Sequence, residues 1–285
     1  MELFIELSRV VFRIKLPYQA EIDHSFENFL LHSPPKRWDA EVEFLQGFER
    51  VEKPLGDPLC EDDQMIFYSH RSQVLCAAKG GSFGPMAYTF CDLAASSLVC
   101  YLNTEHYPPL RSLGALVQLI PLKWFLSRRG VLLFHASLIA ADSKGILFTA
   151  PSGTGKTTQS RLWAEHRRAE ILCNDRVLVR GMKTYGFPYD GDAPVFNPEE
   201  HGLHAIVCLG QGIQNSIVRL RPASAMARLM QTALFDAWDP QVRDFVSGHL
   251  LEMISAIPVY QLDCTPDEAA VLCLENQLRK DGVIE

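Results

Sequence analysis

A chain of 285 residues with 47% hydrophobic and 21% charged content is long enough for one large or two smaller domains around a sizeable core, which excludes a disordered chain, a collagen-like repeat and a coiled coil. Lys and Arg number 27 against 34 Asp and Glu, and the net charge of −7 argues against a surface built to grip a nucleic-acid backbone. The longest apolar stretch, 115–126, is broken by Pro121 and Lys123 and falls short of the roughly 20 residues that cross a bilayer, so no membrane span is expected.

The N-terminus carries Glu2 and Glu6 where a secretory signal would place positive charge, and it reads as mature sequence. Short β-like runs follow at 3–16, 42–48, 64–70, 73–79 and 86–102, separated by Ser33-Pro34-Pro35, Gly56-Asp57-Pro58 and Gly80-Gly81. They predict a smaller, mostly β N-terminal domain over 1–120. No motif marks it, and acceptor docking or oligomer formation is the role expected of it. The eight cysteines are scattered without a CxxC pair, mostly inside apolar runs, which predicts buried free thiols in a reducing cytoplasm.

Helical spacing over 113–127 predicts a helix, and 131–150 then reads as strand, turn and strand. Further on, 157–166 is helix-like with Leu162 and Trp163 facing inward. Strands are predicted on both sides of Asp175, then at 205–209 and 216–220 across the turn 210–215. Pro222 opens a helix, Asp239 caps another with Pro240 at its first position, and Thr265-Pro266-Asp267-Glu268 reads as a capping box for a last helix ending near Lys280. This alternation predicts an α/β domain over 121–285 whose loops present a ligand site.

The chemistry is concentrated in Ala150-Pro151-Ser152-Gly153-Thr154-Gly155-Lys156-Thr157, a strand entering a glycine-rich loop and leaving as a helix, with Ala150 where the Walker A pattern opens on glycine. Gly153 and Gly155 let backbone N–H groups turn inward around phosphate, and the helix N-terminus adds positive potential. Lys156 is expected to reach the β and γ phosphates and the Thr157 hydroxyl to hold Mg²⁺. Ser152, Thr154 and Thr158 complete the predicted nucleotide-binding set; a glycine-rich turn without a ligand has no need of a lysine followed by two threonines.

A phosphate cradle needs a carboxylate to do more than bind. Asp175 is the best placed, at the end of Ile171-Leu172-Cys173, where a strand returning beside the loop strand brings it toward the γ-phosphate. A plain strand-end turn is the alternative. His135, one polar ring in an apolar strand, is by spacing alone a satisfied core histidine. His201 and His204 lack an acidic or thiol partner at ligand spacing and read as loop and surface residues.

Taken together these residues resemble the HPr kinase family, bacterial P-loop serine kinases with a fold related to phosphoenolpyruvate carboxykinase. The resemblance spans about 121–280 and rests on LLFHASLIA, APSGTGKTT, LCNDRVLVR, the turn Tyr185-Gly186-Phe187-Pro188, HAIVCLG followed by GIQNSIVRL, and IPVYQLDCTPDEA. It is strongest to stand-alone HPr kinase-like proteins, some of which phosphorylate a serine near the C-terminus of a lasso-peptide precursor. In HPr kinases proper a histidine before the loop assists two adjacent aspartates after it, one of them the base. His135 matches that histidine and Asn174-Asp175 falls on the pair, so either Asp175 carries the whole acid–base and metal load or the chemistry differs. The segment 185–202 lacks the loop of true HPr kinase/phosphorylases, and HPr itself is not the expected substrate. Gly186, Pro188, Tyr189 and Asp192 are expected to form a turn near the nucleotide or acceptor, or a purely structural one.

The expectation is therefore an ATP- and Mg²⁺-dependent kinase acting on a serine of a peptide or protein, with Asp175, His135 and Lys156 catalytic and Thr157 and Asp175 on the metal. Two other classes stay open: a nucleotide-sensing module without transfer, and a P-loop enzyme that hydrolyses ATP or phosphorylates a small metabolite.

Overall fold

Period-two burial sets the architecture of the first part of the chain. Strands β1 (Glu2–Leu7), β2 (Val10–Lys15), β3 (Ala40–Gln46), β4 (Cys60–Glu61), β5 (Met65–His70), β6 (Gln73–Ala78), β7 (Ala87–Asp92) and β8 (Ser97–Leu102) pair in the order β1-β2-β3-β8-β7-β6-β5-β4. Along β3 the side chains of Ala40, Val42 and Phe44 are buried while their neighbours are not, so one sheet face is apolar. The computed structural model describes residues 1–51, 56–188, 195 and 197–285. It divides into two units, Met1–Phe125 and Leu126–Glu285.

In the first unit β2, β3 and β8 run parallel to one another and the other pairings are antiparallel. Short helices α1 (His24–Glu27), α2 (Leu113–Val117) and α3 (Leu122–Ser127) accompany the sheet. Phe125 meets Phe12 at 5.8 Å and Trp124 meets Phe67 at 6.4 Å between ring centroids, which seats these two rings on the buried face. The single helix expected over 113–127 is two helices. Pro121 divides them because it has no N–H to continue the first, while its carbonyl accepts the Phe125 N–H at 3.0 Å to open the second.

The second unit holds β9 (Leu132–Ala141), β10 (Lys144–Thr149), α4 (Lys156–Arg167), β11 (Glu170–Cys173), β12 (Arg176–Arg180), β13 (Lys183–Gly186), β14 (His201–Gln211), β15 (Ser216–Arg219), α5 (Pro222–Thr232), β16 (Ala233–Leu234), α6 (Pro240–Ala256), β17 (Val259–Cys264) and α7 (Glu268–Lys280). Its nine-stranded sheet runs β10-β9-β12-β13-β14-β17-β15, with β11 and β16 also on β9 and β10 also on β14. β10 is parallel to β14, and β14 to β17, so these three strands end at one edge. Trp163 on α4 and Val271, Leu274 and Leu278 on α7 share a core with Ile139, Phe148, Val207 and Leu262 of the sheet. Together with the eight-stranded sheet this is a mixed α/β chain, and among the described residues no helix is long and apolar enough to cross a membrane.

Several sequence expectations are corrected. Leu162 is only half-buried, since Trp163 takes the inward position. Tyr185 and Gly186 belong to β13 rather than to a turn, and a side chain at Gly186 would meet the Asn197 carbonyl at 2.3 Å. His201 and His204 lie on β14, not on a loop. The last helix begins at Glu268 behind Asp267, because Thr265 is taken by Asn215, whose side chain accepts the Thr265 N–H at 2.9 Å. All eight cysteines are free, but Cys60, Cys264 and Cys273 are half-buried rather than buried. Tyr189 and Asp192 lie outside the described residues.

Candidate active site

The glycine-rich loop leaves β10 at Thr149 and enters α4 at Lys156. Gly153 (φ +74°) and Gly155 (φ +114°) adopt left-handed backbone with nothing within 4 Å of an added Cβ, so the conformation and not the space calls for glycine. Gly155 stands at the N-cap of α4 and no side chain caps the helix. The N–H groups of its first turn therefore face the loop, the arrangement that receives anions.

Lys156 is 6% exposed, and its Nζ donates to the carbonyls of Ala150 at 3.0 Å and Pro151 at 3.2 Å. Burial pulls its ammonium below the usual lysine value, and the Asp175 carboxylate acts in the opposite sense. Beneath it lies a buried hydroxyl pair: Ser160 Oγ donates to Ser137 Oγ at 2.8 Å, and both hydroxyls lie 3.3 Å from the Lys156 carbonyl. At the end of β14, Gln211 Nε2 donates to the Gly153 carbonyl at 3.3 Å.

Asp175 sits at the break between β11 and β12. Both strands pair with β9, so the returning segment lies beside β9 and not beside the loop strand as the sequence had suggested. The Asp175 carbonyl accepts the Ala136 N–H at 3.0 Å, and Arg176 pairs with His135 in the register, which fixes the Asp175 backbone beside His135 and Ala136 of β9. His135 Nε2 lies 3.3 Å from Asp175 Oδ1, and Arg176 Nε lies 3.6 Å from Oδ2. A carboxylate only accepts, so Nε2 carries the proton. Burial holds the His135 imidazole below its ordinary value, Lys156 adds to that, and Asp175 opposes it. The ring is thus neutral at neutral pH.

The structure brings His135, Asp175 and Lys156 into one electrostatic group. Thr154, Gly155 and Thr157 are half-buried around it, while Ser152, Gly153 and Thr158 are exposed. Asn174 is buried at 5% exposure, whereas the Asp175 side chain is 32% exposed; of the two neighbours it is Asp175 that reaches solvent. An uncapped helix end, a buried lysine and glycine-lined N–H groups suit phosphate oxygens. Among the described residues no three His, Cys, Asp or Glu side chains are grouped to hold a metal. Thr157 on the loop helix and the partly exposed Asp175 could each offer oxygen to Mg²⁺, which takes most of its ligands from phosphate and water.

Four contacts were not foreseen from the sequence. Arg176 was hidden by adjacency to Asp175, and Ser160 and Gln211 by long separations. Ser137 carried a signal, since it stands two residues after His135 and strand alternation puts both on one face of β9.

No protein-family model matches the chain, and no curated protein does. Among solved structures it is similar to the Hpr(Ser) kinase/phosphatase from Coxiella burnetii, at 12% identity and a TM-score of 0.28, over 53% of this chain and 98% of that one. Likeness at that level assigns neither fold nor activity.

Proposed function

We propose that this chain is an ATP- and Mg²⁺-dependent kinase that transfers the γ-phosphoryl group to a hydroxyl, a serine of a peptide or protein. One juxtaposition carries the reading: a buried loop lysine, Lys156, whose charge couples to a partly exposed carboxylate, Asp175, itself held by a neutral imidazole, His135. The motif resemblance to stand-alone HPr kinase-like proteins supports serine as the acceptor and a peptide as its bearer.

In this mechanism the N–H groups from Ser152 to Thr157 and the Lys156 ammonium hold the β and γ phosphates. Thr157 and Asp175 would hold Mg²⁺, which when bound would supply neutralisation of phosphate charge. The acceptor oxygen attacks the γ-phosphorus in line as its proton passes to the Asp175 carboxylate. The new P–O bond forms as the bond to the β-phosphate oxygen breaks, and ADP departs. His135 donates to Asp175 and aims it, and Lys156 balances charge spreading over the phosphoryl oxygens. With Asn174 buried beside it, Asp175 carries the acid–base load alone.

The test is transfer from γ-labelled ATP with Mg²⁺ to a pool of serine-ended peptides and small alcohols, read by intact mass beside Lys156→Ala. Label on a peptide serine, lost in the variant, is the expected result. Label on the alcohols alone would reassign the substrate class. Nucleotide binding with neither transfer nor ATP consumption would turn the reading to a sensing module, which the replacement of a second carboxylate by Asn174 favours.

A further inference from the structure

The first unit carries a groove that the kinase chemistry does not use. It is an open cavity of about 830 Å³ on the sheet face opposite the one that holds Phe44 and Phe67, within the range of roughly 300–1,000 Å³ typical of ligand sites. Its floor is aromatic: His70 stands edge-on to Phe90 at 5.3 Å and 75°, and Phe90 edge-on to Tyr101 at 5.9 Å and 86°. These rings come from β5, β7 and β8, and Leu45 of β3 and Gln73 of β6 also line the groove. Consecutive neighbours β3, β8, β7, β6 and β5 are therefore all crossed.

That extent restricts the occupant. Four strand spacings of about 4.8 Å give a span of about 19 Å, the length of about six residues of extended chain at about 3.3 Å each. A compact metabolite would leave most of it unfilled. Gln46, Ser72 and Gln73 place side-chain donors and acceptors along the groove, as backbone amides require. Charge narrows the choice further. Among the described lining residues Arg71 bears the one permanent charge, and it is exposed at the β5–β6 turn of a chain whose net charge is −7. The nearby Asp92 is not among those lining residues; the Ala95 N–H at 2.9 Å and Gln73 Nε2 at 3.3 Å fix its carboxylate in place and hold it below the usual carboxyl range.

We propose that this groove binds an extended acidic peptide segment of about six residues, laying an apolar or aromatic side chain on Phe90 and Tyr101 and a carboxylate against Arg71. Resting on the kinase reading, the inference names that segment as the recognition element of the acceptor polypeptide, apart from its serine.

The experiment measures binding of labelled heptapeptides to the full chain by fluorescence anisotropy, without nucleotide. The probes are Glu-Asp-Leu-Phe-Leu-Asp-Glu, its analogue with lysine at every acidic position, and its analogue with glycine at every apolar one. The acidic peptide should bind saturably and at least tenfold more tightly than either analogue. Arg71→Asp, which suits the left-handed backbone of that turn (φ +56°), should weaken it at least tenfold and favour the lysine peptide. Phe90→Ala should weaken both charged peptides, with circular dichroism checking its fold. Equal binding of the acidic and lysine peptides, indifference to Arg71→Asp, or no saturable binding of any probe overturns the proposal. Lys156→Ala separates the two readings: it should bind the peptide like the parent. Binding in a chain that never transfers phosphate keeps the groove and removes the kinase; transfer without binding does the reverse.

Discussion

The two units bury polar groups in opposite fashions. In the first, the buried polar side chains among the described residues are Ser8, Thr89 and Asn103, scattered through an interior otherwise apolar and aromatic. In the second, Ser137, Thr149, Lys156, Gln159, Ser160 and Asn174 are buried together on the loop, its helix or the strands behind it, while Ser127, Thr184, Thr232, Asp236, Asp239 and His249 are buried elsewhere in the unit. Burying a polar group gains little even when it is bonded and costs much when it is not, so such a gathering is a poor way to stabilise a fold. It is a good way to fix the relative positions of a lysine, a carboxylate and an imidazole. The contrast predicts that substitutions at the loop change rate more than stability, and that substitutions in the first interior do the opposite.

The largest effect belongs to Lys156→Ala, which should lower transfer by about 10³–10⁵, the scale for losing a cation from the transferred phosphoryl group. Its melting temperature should stay near that of the parent, because the lysine bonds only to carbonyls of its own loop. Asp175→Asn should lose about 10²–10⁴ in rate, the usual worth of a positioned base, with ATP affinity retained in a titration. Near-parental turnover would remove Asp175 from the mechanism. On the other side of the contrast, Phe44→Ala, at 1% exposure, should cost about 3–5 kcal/mol in urea unfolding. The turnover of the molecules that remain folded should be unchanged, and a rate loss to match would show that the units are not separable in this way.

His135 gives a pH test. Its folded value lies below the ordinary imidazole value of about 6.5. Between the two the unfolded chain binds the extra proton, so the stability contributed by the neutral ring is complete above about 6.5 and falls as pH drops toward the folded value. Activity should follow the folded value: protonation adds a cation beside Lys156 and Arg176 and draws on the Asp175 carboxylate, so the rate falls on the acid side. A pH–rate profile of His135→Gln should lose that acid limb. A limb that persists unmoved assigns it to another group.

The glycine loop was legible in the sequence because its parts are contiguous and each residue type answers to a local demand, left-handed backbone at Gly153 and Gly155 and a charge at Lys156. The strands were legible for the same reason, since period-two burial in segments such as β3 is a local property. What escaped depends on pairing between distant segments. That β11 and β12 lie against β9 follows from hydrogen bonding across 39 positions of chain, from Ala136 to Asp175, which no local pattern encodes. The Ser137 and Ser160 hydroxyls meet across 23 residues and Gln211 reaches Gly153 across 58. The groove of the first unit was invisible for a related reason: His70, Phe90 and Tyr101 are ordinary strand residues until the sheet order makes their strands near neighbours.

The smallest predicted effect bears most directly on the contrast. Ser137→Ala removes one hydroxyl from beneath the Lys156 carbonyl and leaves Ser160 bonded to it. Thr89→Val removes a hydroxyl of equal depth from the first unit, where it donates to the Leu119 carbonyl at 3.3 Å. Each should cost about 1 kcal/mol in stability, the ordinary net worth of one hydrogen bond. They should part in rate. Without Ser137 the first turn of α4 is free to shift against β9, the strand that also carries His135, so the spacing between the phosphate cradle and Asp175 loosens and turnover should drop severalfold. A misplacement of that kind acts on orientation more than on affinity, so the Michaelis constant for ATP should move less than the turnover. Thr89→Val should leave both unchanged. Equal kinetics in the two variants would mean that the polar cluster around the loop is ordinary core bonding and that its concentration there carries no functional meaning.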